Sequence, residues 1–194
     1  MAKYCFDLDE TLVKGDVINQ ASRILLVEGK INKIYTNRDV ISWNLDGIPS
    51  IVKDKTFELF GNPIYAVLKK KPISGVEIFL NYLKLKDNEL HILTARPKNC
   101  WKETTLFINK IFGENLFDSI NCVDGCHSSK LPALAKINPD YYFDDNIGFC
   151  EEARKVGIKT YLVCNEYTPW NHKMIHEDIK RIKNVAFFPF SKID

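Results

Sequence analysis

Apolar residues occur along this chain in two alternating rhythms, short continuous runs and longer stretches spaced three or four residues apart. The continuous runs predict five strands: Tyr4 to Phe6, Glu89 to Leu93, Ser119 to Val123, Tyr141 to Phe143 and Thr160 to Val163. The spaced stretches predict helices. One runs from Val17 to about Glu28, with Asp16 as its N-cap and Gly29 as its stop. Ser74 is placed to cap another over Val76 to Lys84, whose Val76, Phe79, Leu80 and Leu83 form one apolar stripe. Further helices span Asn99 to Phe112, Lys130 to Ile137 and Ile147 to Val156. Buried strands joined through helices pack as a parallel sheet with right-handed crossovers, so the expected fold is α/β, a Rossmann-like five-stranded parallel sheet.

Between the first and second strands there is more helical material than a crossover needs. Pro49 starts one helix that ends at Gly61, Asn62-Pro63 starts another, and nothing from Ile31 to Lys71 has the character of a strand. The expectation is a small helical cap over residues 16–71, carried by a core made of residues 1–15 and 72–194. Beyond the fifth strand the pattern predicts a polar amphipathic helix near Met174 to Ile182, then a terminal strand or apolar tail from Val185 to Phe190.

Composition narrows the partners. The 194 residues, 45% hydrophobic and 27% charged, suit one core plus an insertion. Lys+Arg 27 against Asp+Glu 25 leaves +2, and a pI of 8.1 lacks the basic footprint of a protein that grips a nucleic acid polymer. No apolar run approaches the roughly 18 residues of a membrane span, and no basic segment precedes an apolar one at the N-terminus, so neither a membrane partner nor export is expected. Cys122-x-x-x-Cys126 has no second pair at zinc spacing, although His127 is adjacent, and the six cysteines read as reduced thiols of a cytoplasmic protein.

Candidate chemistry sits where the apolar runs stop. Asp7 and Asp9 follow the first strand, Thr94 ends the second, Lys130 opens a helix, and Asp144 and Asp145 end the fourth. Ligands of a parallel sheet collect at this rim. Carboxylates that converge there repel one another, which a bound cation or a raised pKa must offset. Lys136 is the rival of Lys130, but its interior helix position beside Ile137 suits a solvated side chain. Asp145 is open between ligating metal, orienting Lys130 and capping the next helix, while Asn146 reads as that helix's N-cap. Lys69-Lys70-Lys71 reads as a solvated helix end able to draw in an anion.

With these segments in this order, the chain resembles the haloacid dehalogenase superfamily of phosphotransferases. Asp7-Leu8-Asp9-Glu10-Thr11 is similar to its first motif, Leu93-Thr94 to its second, Lys130 to its third and Phe143-Asp144-Asp145-Asn146 to its fourth. The resemblance implies that Asp7 is a nucleophile forming an aspartyl phosphate, that Asp9 acts as general acid and then base, and that Thr94 and Lys130 bind phosphate. It also implies Mg²⁺ held by Asp7, the backbone carbonyl of Asp9 and Asp144, with support from Asp145. Such a division of labour fits a reaction whose enzymatic acceleration reaches about 10²¹-fold. Dehalogenation is disfavoured, because it needs no acid two residues beyond the nucleophile.

Leu93-Thr94-Ala95-Arg96-Pro97, preceded by Pro72-Ile73-Ser74-Gly75-Val76 and followed later by Pro169-Trp170-Asn171, is similar to the 5′-nucleotidase and 5′(3′)-deoxyribonucleotidase branch. That likeness implies a small phosphorylated substrate such as a nucleoside monophosphate, with a base held by cap aromatics, for which Trp43, Phe57, Phe60 and Tyr65 are the candidates. The first motif also resembles the phosphoserine phosphatases of the RNA polymerase tail, but a helical roof disfavours a peptide. A sugar-phosphate phosphatase and a non-catalytic phosphate-binding module are the other readings, and the filled catalytic positions argue against the last.

Overall fold

The computed structural model describes residues 1–124, 128–173 and 177–189. The first strand, β1 (Lys3–Phe6), leads through a short β2 (Val13–Lys14) into the helices α1 (Val17–Val27), α2 (Ser50–Phe60) and α3 (Pro63–Val67). The chain returns through β3 (Lys71–Pro72) to α4 (Val76–Leu85), β4 (Glu89–Thr94), α5 (Trp101–Phe112) and β5 (Ser119–Cys122). It continues with α6 (Leu131–Ile137), β6 (Tyr141–Asp144), α7 (Ile147–Lys155), β7 (Lys159–Val163) and β8 (Lys180–Ile182).

Six strands form one sheet in the order β5-β4-β1-β6-β7-β8, and every neighbouring pair is parallel. The chain builds outward from β1 to one side through β4 and β5, then to the other through β6, β7 and β8. This reversal opens a crevice at the carboxyl end of β1, the place where doubly wound sheets take their ligands. Register sets what faces the crevice. Phe6 pairs with Ile92 on one side and with Phe143 on the other, so Asp7, Thr94 and Asp144 emerge from adjacent strands.

The core under this rim is aromatic. Phe143 stacks between Phe6 and Tyr161 with ring centroids 5.0 and 5.2 Å away, and Phe188 closes the stack edge-on at 5.4 Å. Residues 16–71 carry a separate apolar cluster built from Ile18, Leu25, Val40, Leu45, Ile48 and Val52, and Trp170 from beyond β7 completes it. No helix among the described residues is long and apolar enough to cross a membrane.

Four expectations change. The sheet has a sixth strand, because Lys180 to Ile182 pairs with β7 instead of ending a helix. Lys180 and Arg181 are exposed on this edge, so the strand lacks the apolar signature that marks the others. Residues 174–176, the start of that expected helix, lie outside the described residues, as do Cys126 and His127. Val185 to Phe187 forms a 3₁₀ turn that delivers Phe188 to the core. Lys71 and Pro72 pair antiparallel with Lys14 and Val13, a ladder that brings both ends of the helical segment together. Helix α4 takes Gly75, at φ 82°, as its N-cap in place of Ser74.

Truncating the centre of the aromatic stack tests how far the rim depends on it. Phe143→Ala should lower stability by about 3–5 kcal/mol, read as a lower urea midpoint with little change of slope.

Candidate active site

Lys130 is the hub. Its ammonium lies 2.6 Å from Asp7 Oδ1 and 2.7 Å from Asp144 Oδ2, and all three side chains are buried. Lys130 is the N-cap residue of α6, and Ser129 Oγ accepts from Leu131 N at 3.1 Å in the turn that precedes the helix. The Tyr142 hydroxyl donates to the same Asp144 oxygen, while Asp144 Oδ1 accepts from Asn146 N at 2.7 Å. Asn146 in turn caps α7 through Gly148 N. Asp145 completes the group: one carboxylate oxygen from each of Asp7, Asp144 and Asp145 lies within 4.8 Å of the others. Its main-chain carbonyl is tied down by Asn171 Nδ2 at 2.6 Å, which is the work of the Asn in Pro169-Trp170-Asn171.

Electrostatics follow from burial. Burial pushes the Asp7 carboxyl up to about 7, Lys130 opposes the rise, and Asp144 adds to it. Burial, then the charges of Asp144 and Asp7, hold Asp145 well above the usual carboxylate range. For Lys130 burial disfavours the charge, but Asp144 and Asp7 outweigh it and keep the ammonium protonated. Three buried carboxylates face one ammonium, and the excess negative charge is relieved either by protons or by a cation. The donors are all carboxylate oxygens, the set a hard ion such as Mg²⁺ prefers over softer metals.

Asp9 does not join this group. Its oxygens accept from Arg96 Nε at 2.7 Å and Nη2 at 2.9 Å, and Lys70 Nζ stands 2.7 Å from Oδ1. Burial alone would raise its pKa, but Arg96 and Lys70 hold the carboxyl far below the usual range. Arg96 is fully buried and spends a further donor on Thr104 Oγ1 at 3.0 Å. The chain turns directly after Asp9: Glu10 adopts φ 60°, and its amide donates to Val13 O at 2.7 Å. Thr94 is buried at the end of β4 and accepts from Arg96 N at 3.3 Å.

Arg96 and Lys70 were not assigned roles from sequence, and the reading of Lys70 as solvated is corrected. The local sequence offered no signal: the triplet is turned at Lys69, whose φ is 58°, and only Lys71 belongs to a strand. Lys70 is buried, between the exposed Lys69 and Lys71. Close approach is possible because residue 15 is glycine, where a Cβ would stand 2.5 Å from Lys70 Cδ.

Asp7, Asp9, Thr94, Lys130, Asp144 and Asp145 all line one cavity of about 100 Å³. Trp43, Phe60 and Trp170 roof it, so two of the four aromatic candidates reach the site. Phe57 and Tyr65 do not line it, and Tyr65 packs instead on Val17, Ala21 and Leu59.

These shifts fix a pH dependence. The folded protein keeps the Asp7 proton to about 7, against 3.8 in its ordinary state, so this stabilising contribution is complete below 3.8 and disappears as pH rises through 7. Glu10, raised by burial to about 8, extends the same trend. Asp9, held low, has the opposite sign, but its window lies below 3.8. In EDTA the melting temperature should therefore fall from about pH 5 to about pH 8, and saturating Mg²⁺ should flatten the decline. Thermal melts across that range check both.

No protein-family model matches the chain. A nucleotidase of Clostridium acetobutylicum is 22% identical over 185 residues, covering 93% of this chain and 88% of that protein. A hydrolase of the haloacid dehalogenase-like family from Streptococcus pneumoniae superposes with a TM-score of 0.61 at 15% identity, over 94% of each chain. CbbY from Rhodobacter sphaeroides, solved in complex with phosphate, superposes with a TM-score of 0.59 at 15% identity, over 96% of each chain. What the chain shares with these solved structures is its fold, the α/β architecture of the haloacid dehalogenase-like hydrolases.

Proposed function

We propose that this protein is a Mg²⁺-dependent phosphomonoester hydrolase that works through an aspartyl-phosphate intermediate. The observation that carries the reading is the convergence of Asp7, Asp144, Asp145 and Lys130 on one buried point at the switch of the sheet. Asp7 attacks phosphorus in line, the bond to the ester oxygen breaks, and Asp9 gives that oxygen its proton. Asp9 then takes a proton from water, which attacks the phosphoryl group, and the bond to Asp7 breaks to release phosphate. Lys130 and the Thr94 hydroxyl hold the phosphoryl oxygens. Asp7, Asp144 and Asp145, with the Asp9 carbonyl, would hold Mg²⁺, which supplies the positive charge that lets an anionic nucleophile meet an anionic phosphate.

Asp9 is ionised between Arg96 and Lys70, the form suited to the second half-reaction. To serve as the acid of the first half-reaction it must first take up a proton from solvent, which requires at least one of these contacts to loosen, and Lys70, which comes from the helical segment, is the one positioned to leave. Residues 16–71 act in this reading as a cap. The substrate we favour is a (deoxy)nucleoside monophosphate, supported by the aromatic roof of Trp43, Phe60 and Trp170 and by the likeness to the clostridial nucleotidase. A cavity of about 100 Å³ takes the phosphoryl group, and the rest of a nucleotide extends out of its open side. The five described cysteines are free and buried, which supports a reducing, cytoplasmic setting.

The test is direct. With Mg²⁺ present, the wild type should hydrolyse p-nitrophenyl phosphate and at least one nucleoside monophosphate. Asp7→Asn should lose activity by at least about 10³-fold, the scale of a lost covalent catalyst, while its circular dichroism stays unchanged. Undiminished turnover in that variant, or in EDTA, would refute the proposal.

A further inference from the structure

Resting on that reaction, though not on a monophosphate as its substrate, we propose that an ester carrying a second phosphate group is preferred over the monophosphate itself, the second group seating in a basic cleft beside the catalytic cavity. The cleft, about 510 Å³, shares Gly15 and Asn37 with the cavity. Lys14, Arg38, Lys69 and Lys71 line it, against two acids, Asp16 and Glu166.

The two acids offset only part of this set, four cations against two carboxylates: Asp16 also caps α1, its Oδ1 accepting from Asn19 N at 2.8 Å, and Glu166 acts on Lys14. Lys14 is held at the wall, donating to the Tyr167 hydroxyl at 2.7 Å. Arg38, Lys69 and Lys71 enter no ion pair among the described residues. Cations gathered in excess of the two acids repel one another, and an anion in their midst relieves that cost. The whole chain carries only +2, so this concentration is local.

Backbone geometry accounts for how one lysine triplet serves two spaces. Lys69 stands at φ 58°, a left-handed conformation unusual for lysine, and Lys71 belongs to β3. The outer two lysines therefore border the cleft, while Lys70 between them reaches Asp9 in the cavity. Size points the same way. A cavity near 100 Å³ is smaller than the engineered cavity of about 150 Å³ that holds benzene, so most of any substrate must extend beyond it. Past the shared wall at Gly15 and Asn37 it meets the four cations. A guanidinium and flexible ammoniums are the groups that recognise a phosphate dianion.

The experiment compares kcat/KM on the full chain with Mg²⁺ for two pairs: glucose 6-phosphate with glucose 1,6-bisphosphate, and a nucleoside 5′-monophosphate with its 3′,5′-bisphosphate. In at least one pair the bisphosphate should be preferred at least tenfold, through KM. The double variant Lys69→Gln/Lys71→Gln, and separately Arg38→Gln, should each cut that preference about tenfold, equivalent to about 1.4 kcal/mol. Absence of any preference in the wild type overturns the inference. So does a preference that both variants retain, or an equal loss on both members of a pair, which would mean charge steering alone. If a variant fails to fold, the wild-type comparison decides. Hydrolysis of p-nitrophenyl phosphate without a bisphosphate preference removes only this inference, whereas no Mg²⁺-dependent hydrolysis of any substrate removes the proposed function as well.

Discussion

Like charge held out of water is the constraint on which this molecule depends. Asp7, Asp144 and Asp145 place carboxylate oxygens within 4.8 Å of one another in a buried site, and Lys130 is the ammonium set among them. Such an arrangement is costly to bury, and breaking a buried pair typically costs about 3–5 kcal/mol. Much of the surrounding architecture serves to hold it. The Phe6, Phe143 and Tyr161 stack fixes the strands that carry Asp7 and Asp144, Tyr142 and Asn146 saturate Asp144, and Asn171 fixes the backbone of Asp145. An excess of buried carboxylates over ammonium is an arrangement that a cation would relieve.

A second electrostatic centre stands beside the first and has the opposite balance. One carboxylate, Asp9, faces two cations, Arg96 and Lys70. The first centre is short of positive charge and the second is rich in it. Lys70 also links the two parts of the chain. It comes from the end of the helical segment, passes over Gly15 and contacts a residue of the β1 turn, so any movement of the helices is felt at Asp9.

Much of this was legible in the sequence because the signals were local. Apolar runs ending in Asp7, Thr94 and Asp144 identified three adjacent strand ends, and Lys130 lay where a helix begins. Asn62 and Asn146 were readable as caps, and both accept the expected backbone amides. What was hidden depended on partners distant in sequence. Arg96 is a core residue only because Asp9 lies 87 positions away, and Lys70 is buried only because Asp9 and Gly15 face it. Strand β8 was missed because an edge strand of Lys, Arg and Ile carries no hydrophobic pattern. The divergence of Asp9 from Asp7 goes with its partners Arg96 and Lys70, which the local motif does not announce.

The most direct measurement is a crystal structure of the protein soaked with Mn²⁺, with anomalous scattering used to locate the ion. The account predicts one strong peak at the carboxyl end of β1, bound by oxygens of Asp7, Asp144 and Asp145, with Lys130 displaced toward the phosphate position. A site without a peak at saturating Mn²⁺, or a peak coordinated elsewhere while Lys130 still bridges Asp7 and Asp144, would contradict it.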